Sequence, residues 1–290
     1  MASGIIIIDK SPGWTSQDVA AKLRGIFSER RVGHGGTLDP MATGVLPIFL
    51  GRATRAVEFF ESADKEYIAG LRLGMETDTE DVTGEVHRES PVQVTRQQVE
   101  AALRSIEGEQ MQVPPMYSAV KIHGKKLYEL ARAGKQVERP ARKIIIHETE
   151  LLGGDGNLWK FRVLCSKGTY VRTLCSELGK RLGCGGCMDS LRRTRAGRYD
   201  LSGAHTIESL LAMSSEERQA LLLPVDSMFS QDPALHLSEN QTRCIRNGGR
   251  FTAHTSDGTY RFYGADGSFL ALGQIKEGTA QGIKSFFEVN

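Results

Sequence analysis

Four isoleucines, residues 5–8, open the chain and end abruptly at Asp9-Lys10; an apolar run so short and so sharply bounded predicts a buried strand. A turn over residues 10–14 leads to Thr15 or Ser16 as a helix N-cap, after which Val19, Ala20, Leu23, Ile26 and Phe27 recur at helical spacing. Residues 45–51 form a second apolar strand, and residues 63–73 alternate imperfectly in a strand that carries Tyr67. The acidic, threonine-rich stretch 74–84 reads as a turn or loop. Residues 95–106 are an amphipathic helix with Thr95 as N-cap, Gln98 three places on and Gly108 just past the end. Residues 110–142 break the pattern: Pro114-Pro115 interrupts them and only 126–133 reads as a short helix, so they form an insertion projecting from the core. Strands at 144–152 and 159–166 pair around a glycine-rich turn, and helices follow at 169–182 and 207–220. From about residue 232 the chain turns glycine-rich, with short strands at 259–263, 269–274 and 285–289 and a helix at 238–247 closed by Gly248.

Composition changes little in this picture, but charge does. With 290 residues, 40% hydrophobic and 25% charged, the chain is an ordinary globular protein with room for a large domain and a small one. No stretch approaches the roughly 18 apolar residues of a membrane span. Residues 5–8 lack the basic leader and cleavage site of a signal peptide, so a cytoplasmic location is expected. Five unevenly spread cysteines do not form a secreted disulfide framework. Cys184-Gly-Gly-Cys187 has the spacing of half a zinc site, but no second pair matches it, and it reads as a glycine-rich turn. The net charge of +2 hides an asymmetry. Residues 57–109 carry 5 basic against 13 acidic side chains, residues 121–145 carry 8 against 2, and residues 160–198 carry 10 against 2. Two basic blocks bracketing an acidic one predict a surface for a polyanion.

The chemistry-bearing stretch is Gly33-His34-Gly35-Gly36-Thr37-Leu38-Asp39-Pro40-Met41-Ala42-Thr43-Gly44-Val45. It holds a single carboxylate, Asp39, between a glycine-rich approach and a proline exit. Glycine lets backbone come close to a ligand, and Pro40 biases Asp39 toward an extended conformation. From spacing alone Asp39 is equally a turn residue. The whole stretch to Pro47 resembles the catalytic loop of the RNA pseudouridine synthases, of the bacterial type that modifies uridine 55 in the tRNA T loop. Other stretches resemble the same family: residues 9–16, with the proline one place late; Asp64-Lys65-Glu66-Tyr67; residues 113–121 through Tyr128, Ala131 and Arg132; Gly168-Thr169-Tyr170-Val171-Arg172-Thr173-Leu174; and Leu191-Arg192-Arg193-Thr194-Arg195. The resemblance spans residues 4–230, and the remainder is similar only weakly to the small RNA-binding PUA domain.

That resemblance implies isomerisation of uridine 55 by flipping the base out and attacking it with a carboxylate, without cofactor or metal. It makes Asp39 the nucleophile, Arg172 the guanidinium that orients it and lowers its pKa, and Tyr67 the ring that stacks on the flipped base. It makes His34 the residue that fills the vacated space and packs Leu191 against the uracil pocket, with Gly36, Lys10 and Tyr170 completing the substrate side. Lys121, Lys125, Lys126, Arg132, Arg139, Arg142 and Lys143 would grip RNA on one side, and Arg192, Arg193 and Arg195 on the other. The alternative is an RNA-binding or tRNA-folding module without chemistry, which would not need Asp39, Tyr67 and Arg172 together. A phosphotransferase would need a loop lysine and a metal carboxylate that the chain does not show. The expected architecture is α+β: a largely antiparallel mixed sheet with flanking helices over residues 1–231, including a thumb-like insertion at about 110–142, and a PUA-like β domain over 232–290. The protein is expected to act on tRNA as a monomer, with no obligatory protein partner and no membrane.

Overall fold

A computed structural model describes residues 2–118, 120–122 and 124–287, excluding the side chains of Lys121 and Arg132. Among these residues, nine strands form one mixed sheet. Seven lie side by side in the order Gly4–Lys10, Thr43–Leu50, Gly186–Ala196, Lys65–Leu73, Leu158–Cys165, Arg142–Asp155, Gly108–Gln112. All their pairings are antiparallel except that of Thr43–Leu50 with Gly186–Ala196, where Arg192 lies opposite Thr43 and Arg193 opposite Gly44. Val32–His34 pairs with Thr43–Leu50 and carries the chain into the Asp39 loop. The expectation of a largely antiparallel mixed sheet with flanking helices matches this architecture.

The isoleucine strand is inserted wholly into the core, with Ile5 to Ile8 each 3% exposed or less. The first helix, Ser16–Phe27, starts at Thr15 in a capping box with Asp18 and buries Val19, Ala20 and Leu23 against the sheet. Arg96–Arg104 is capped the same way by Thr95 and Gln98. The helix Val171–Arg181 buries Leu174, Cys175 and Leu178. Its N-cap residue, Tyr170, makes no capping bond of its own. Instead the buried Gln112 amide clamps the Tyr170 peptide, accepting from its N–H at 2.8 Å and donating to its carbonyl at 3.2 Å.

Several expectations need correcting. The stretch 186–196, read as a turn plus a basic segment, is a central strand, and Cys184 and Cys187 are buried at its start. The acidic stretch after residue 74 is a hairpin, Met75–Thr77 against Val86–Glu89. The single helix expected at 207–220 is two, Ile207–Ala212 and Ser215–Ala220, because Ser214 caps the second afresh. The last strand is Thr279–Ser285, and residues 288–289 of the expected one lie outside the described residues.

A five-stranded sheet over the C-terminal part, in the order Ala234–His236, Gly258–Tyr263, Phe269–Lys276, Thr279–Ser285, Arg250–Thr252, has its own core around Phe262, Leu270 and Ile275. It is joined to the large sheet through an aromatic seam in which Phe229 meets Phe59 at 5.5 Å and Phe286 at 5.9 Å between ring centroids. Arg55 donates across the same seam to Ser285 at 2.9 Å, and Lys284 pairs with Glu58.

The parallel contact between Gly44 and Arg193 leaves no space for a side chain. Gly44 has φ +102°, and a Cβ there would lie 2.1 Å from the Arg193 carbonyl oxygen. Gly44→Ala is therefore expected to cost about 3 kcal/mol, lowering the thermal midpoint by about 10 °C. Gly203→Ala, which meets open space, is the control expected to melt with the wild type.

Candidate active site

Asp39 stands in the loop between Val32–His34 and Thr43–Leu50. The loop is held from below by Leu38, 3% exposed, whose N–H donates to the Ser16 hydroxyl at 2.8 Å. Arg172, the second residue of its helix and 5% exposed, reaches across to Asp39 with Nε 2.9 Å from Oδ2 and Nη2 donating to Oδ1 at 3.3 Å. This is the side-on fork that a planar guanidinium makes with a carboxylate. The same guanidinium donates to the Thr79 carbonyl at 3.1 Å and the Tyr117 carbonyl at 2.8 Å.

A second carboxylate, which the sequence reading missed, completes the site. Asp81 is buried, and its Oδ2 lies 3.8 Å from Arg172 Nε. Its Oδ1 accepts from the Thr79 hydroxyl at 2.9 Å, the Thr83 hydroxyl at 2.5 Å and the Thr83 N–H at 2.9 Å. The threonines at 77, 79 and 83 around one aspartate, followed by Gly84, were the available signal.

Burial and the nearby Asp81 change the electrostatics from what was expected. Arg172 does favour the Asp39 carboxylate, yet desolvation is the larger effect and Asp81 adds to it, so the Asp39 pKa is raised instead of lowered. A raised pKa and an Arg fork together give a carboxylate that is oriented yet not over-stabilised as an anion. About a third of its side chain remains exposed (34%).

Tyr67 lies on the strand Lys65–Leu73 with 8% exposure, and burial pushes its phenol pKa up. Leu191, 9% exposed, is on the neighbouring central strand within the same apolar cluster. His34 is half-buried with its Nδ1 unpartnered, and burial lowers its pKa. Gly36 adopts φ +83°, the turn that carries the chain toward Asp39.

Two residues expected at the substrate surface lie beneath it. The Lys10 ammonium is 1% exposed and donates to the carbonyls of Ser11, Trp14 and Pro40, so it ties the turn over residues 11–14 to the Asp39 loop; burial lowers its pKa to about 8. Arg193 is also 1% exposed and cannot grip a phosphate. Within the second basic block, Lys160, Lys167, Lys180, Arg181 and Arg198 are exposed, whereas three arginines are paired with acids. Arg192 pairs with Asp9 at 2.8 Å, Arg195 lies 3.9 Å from Glu66, and Arg162 binds Glu66, Glu148 and Glu150. Part of the block's excess of charge is thus matched by acids from elsewhere in the chain. In the first block, Lys125 and Arg142 are exposed and Arg139 donates to the Pro114 carbonyl. The side chains expected at Lys121 and Arg132 lie outside the described residues. Among the described residues no group of acids, cysteines and histidines could hold a metal ion, and no helix is long and apolar enough to cross a membrane.

A single open carboxylate, forked by a buried arginine beside a buried tyrosine on a mixed sheet, defines the class as a pseudouridine synthase. Comparison with known proteins agrees. Residues 24–171 match the TruB family pseudouridylate synthase N-terminal domain, and residues 172–230 match the tRNA pseudouridylate synthase B C-terminal domain. The tRNA pseudouridine synthase B of Aromatoleum aromaticum is 46% identical over 94% of this chain and 89% of its own length, and that of Stutzerimonas stutzeri 44% over 95% and 92%. Among solved structures, a chain of a Cbf5–Nop10–Gar1 complex superposes with a TM-score of 0.74 at 26% identity, covering 99% of this chain and 85% of that one. The chain belongs to the TruB family of pseudouridylate synthases.

Proposed function

We propose that this protein is an isomerase that converts uridine 55 in the T loop of tRNA to pseudouridine, with Asp39 as its nucleophile. The reaction breaks the N1–C1′ bond, joins C1′ to C5 of the same base and releases the C5 proton. Nothing is oxidised and no group is lost, so one carboxylate suffices. The observation that carries the reading is the Arg172 fork on Asp39, which holds the partly exposed carboxylate in one orientation. Uridine 55 must leave its stack to arrive there, and unstacking costs a few kcal/mol. In this reading His34, Leu191 and the Tyr67 ring receive the base and fill the space it leaves. Lys125, Arg142 and their neighbours in the insertion 110–142 supply phosphate contacts along the RNA.

The chain divides at about residue 232, and the small β-sheet domain beyond it serves as a PUA-like RNA-binding module. The enzyme works as a monomer in the cytoplasm without cofactor. The test is a T-arm transcript bearing tritium at C5 of its uridines. The wild type is expected to release tritium to water, and a transcript with cytidine at position 55 to give none. Binding of the T arm without any release would sink the enzymatic reading and leave RNA binding alone.

A further inference from the structure

Arg172 lies in the first turn of its helix, where N–H groups lack intrahelical partners, so its aim depends on how that turn is held. Local chemistry leaves the turn open. The N-cap residue Tyr170 makes no capping bond through its side chain, and no acidic residue occupies the first turn. The Thr169 hydroxyl donates backwards, to the Ser166 carbonyl at 2.9 Å. The cap comes instead from 58 residues away. Gln112, 2% exposed, accepts from the Tyr170 N–H at 2.8 Å and donates to the Tyr170 carbonyl at 3.2 Å. That carbonyl also accepts from the Leu174 N–H at 3.1 Å. One planar amide thus fixes both polar groups of a single residue, which requires an acceptor and a donor side by side. Gln112 is itself anchored, because it ends the strand Gly108–Gln112 and lies opposite Arg142 in register. The insertion leaves and re-enters the sheet at that pair. Five residues beyond Gln112, the Tyr117 carbonyl accepts from Arg172 Nη2 at 2.8 Å. The root of the insertion therefore holds Arg172 at its backbone and at its head. Filling this space and capping the helix would need only an apolar side chain and a local Ser, Thr or Asp.

We infer that Gln112 is a positioning residue for the isomerisation: its amide holds the Tyr170 peptide, and through it the helical turn that aims Arg172 at Asp39. This role rests on the reading of the site as a uridine isomerase. It gives the insertion a second duty beside RNA contact, because the stretch that reaches for phosphates also seats the arginine that orients the carboxylate. The effect of Gln112 passes through Arg172, so its loss shows in the rate and not in the affinity.

Two measurements test it, the first without RNA. In the 1H–15N spectrum the Arg172 Nε signal is identified by its loss in Arg172→Lys. Held on Asp39, that N–H is expected to exchange slowly in the wild type and at least about tenfold faster in Gln112→Met. Unchanged exchange in a folded Gln112→Met overturns the inference, whatever the enzyme does to RNA. The second is single-turnover tritium release, alongside T-arm affinity. Gln112→Met is expected to lose about 100-fold with affinity unchanged, the scale of a displacement of about 1 Å at a reacting centre. In the Arg172→Lys background the same change is expected to cost less than a tenth of that factor. Equal losses in both backgrounds would show that Gln112 serves only the fold and overturn the inference. Gln112→Glu matches the amide in shape and decides the question if the methionine variant fails to fold. Ionised, its carboxylate faces the Tyr170 carbonyl; protonated, it accepts and donates as the amide does. Its rate relative to the wild type is therefore expected to rise as pH falls, and a ratio independent of pH overturns the inference. Absence of release from the wild type would instead remove the isomerase reading and leave the Nε exchange to report on Gln112.

Discussion

Asp39→Asn is expected to abolish tritium release, by about 10⁴-fold or more, while T-arm binding and the fold persist. The amide matches the carboxylate in shape and can still accept from Arg172, so neither the loop nor the RNA surface has reason to move. What it lacks is the anion proposed to attack the base. Stability gives an independent check, with a direction fixed by the raised pKa of Asp39. A carboxyl whose folded pKa exceeds its unfolded one binds more protons when folded between those two values. The free energy of unfolding therefore falls as pH rises through that interval, and the favourable contribution is complete only below the unfolded value. Asp39→Asn removes this dependence. Its thermal midpoint is expected to gain on the wild type as pH climbs from below the ordinary carboxylate range to neutrality, then to hold a constant difference. A wild type that gains on the variant across that range would show that the Arg172 fork outweighs burial.

The second large effect is expected at Arg172. Its guanidinium serves Asp39, the Thr79 and Tyr117 carbonyls and, at longer range, Asp81. A lysine concentrates three donors at one point and cannot span these acceptors, so Arg172→Lys is expected to lower turnover by about 100- to 1,000-fold. Arg172→Met goes further, because it leaves two carboxylates facing each other with no cation between them. Breaking such a pair is expected to cost about 3 kcal/mol of stability, read by urea unfolding. The loss of the cation raises the Asp39 pKa again, so any residual activity should show its acidic limb at higher pH than the wild type. A limb in its original place would mean that Arg172 does not tune the carboxylate that reacts.

The parts of this arrangement that were legible in the chain are those fixed by local chemistry. Glycines and a proline around Asp39 constrain the backbone whatever surrounds them, and Thr95 with Gln98 specifies a helix start within four residues. The central strand Gly186–Ala196 was not legible. It carries Asp189, Arg192, Arg193 and Arg195, and such a sequence resembles a solvated surface unless its partners are known. Those partners are remote: Asp189 bonds to Arg72, Arg192 to Asp9, and Arg193 to Gly36 and Val45. Asp81 escaped notice for the same reason, as one acid among many until Arg172 identifies it. The direction of the Asp39 shift depended on how deeply the loop is buried, which no spacing encodes.

The order of strands also bears on how this enzyme comes into being. The strands Thr43–Leu50 and Lys65–Leu73 are neighbours in sequence but are separated in the sheet by Gly186–Ala196. A chain emerging from the ribosome therefore presents two unsatisfied strand edges until more than a hundred further residues have been made. The late strand brings Leu191 and Arg193 with it, and Arg172 precedes it only slightly. Nascent chains shorter than about this point hold the Asp39 loop without the strand that seats it, and most of them without its arginine. They cannot assemble the site and are prone to pairing through their open edges. Synthesis thus ends in a single closing insertion, at which the sheet and the competence to react arrive together.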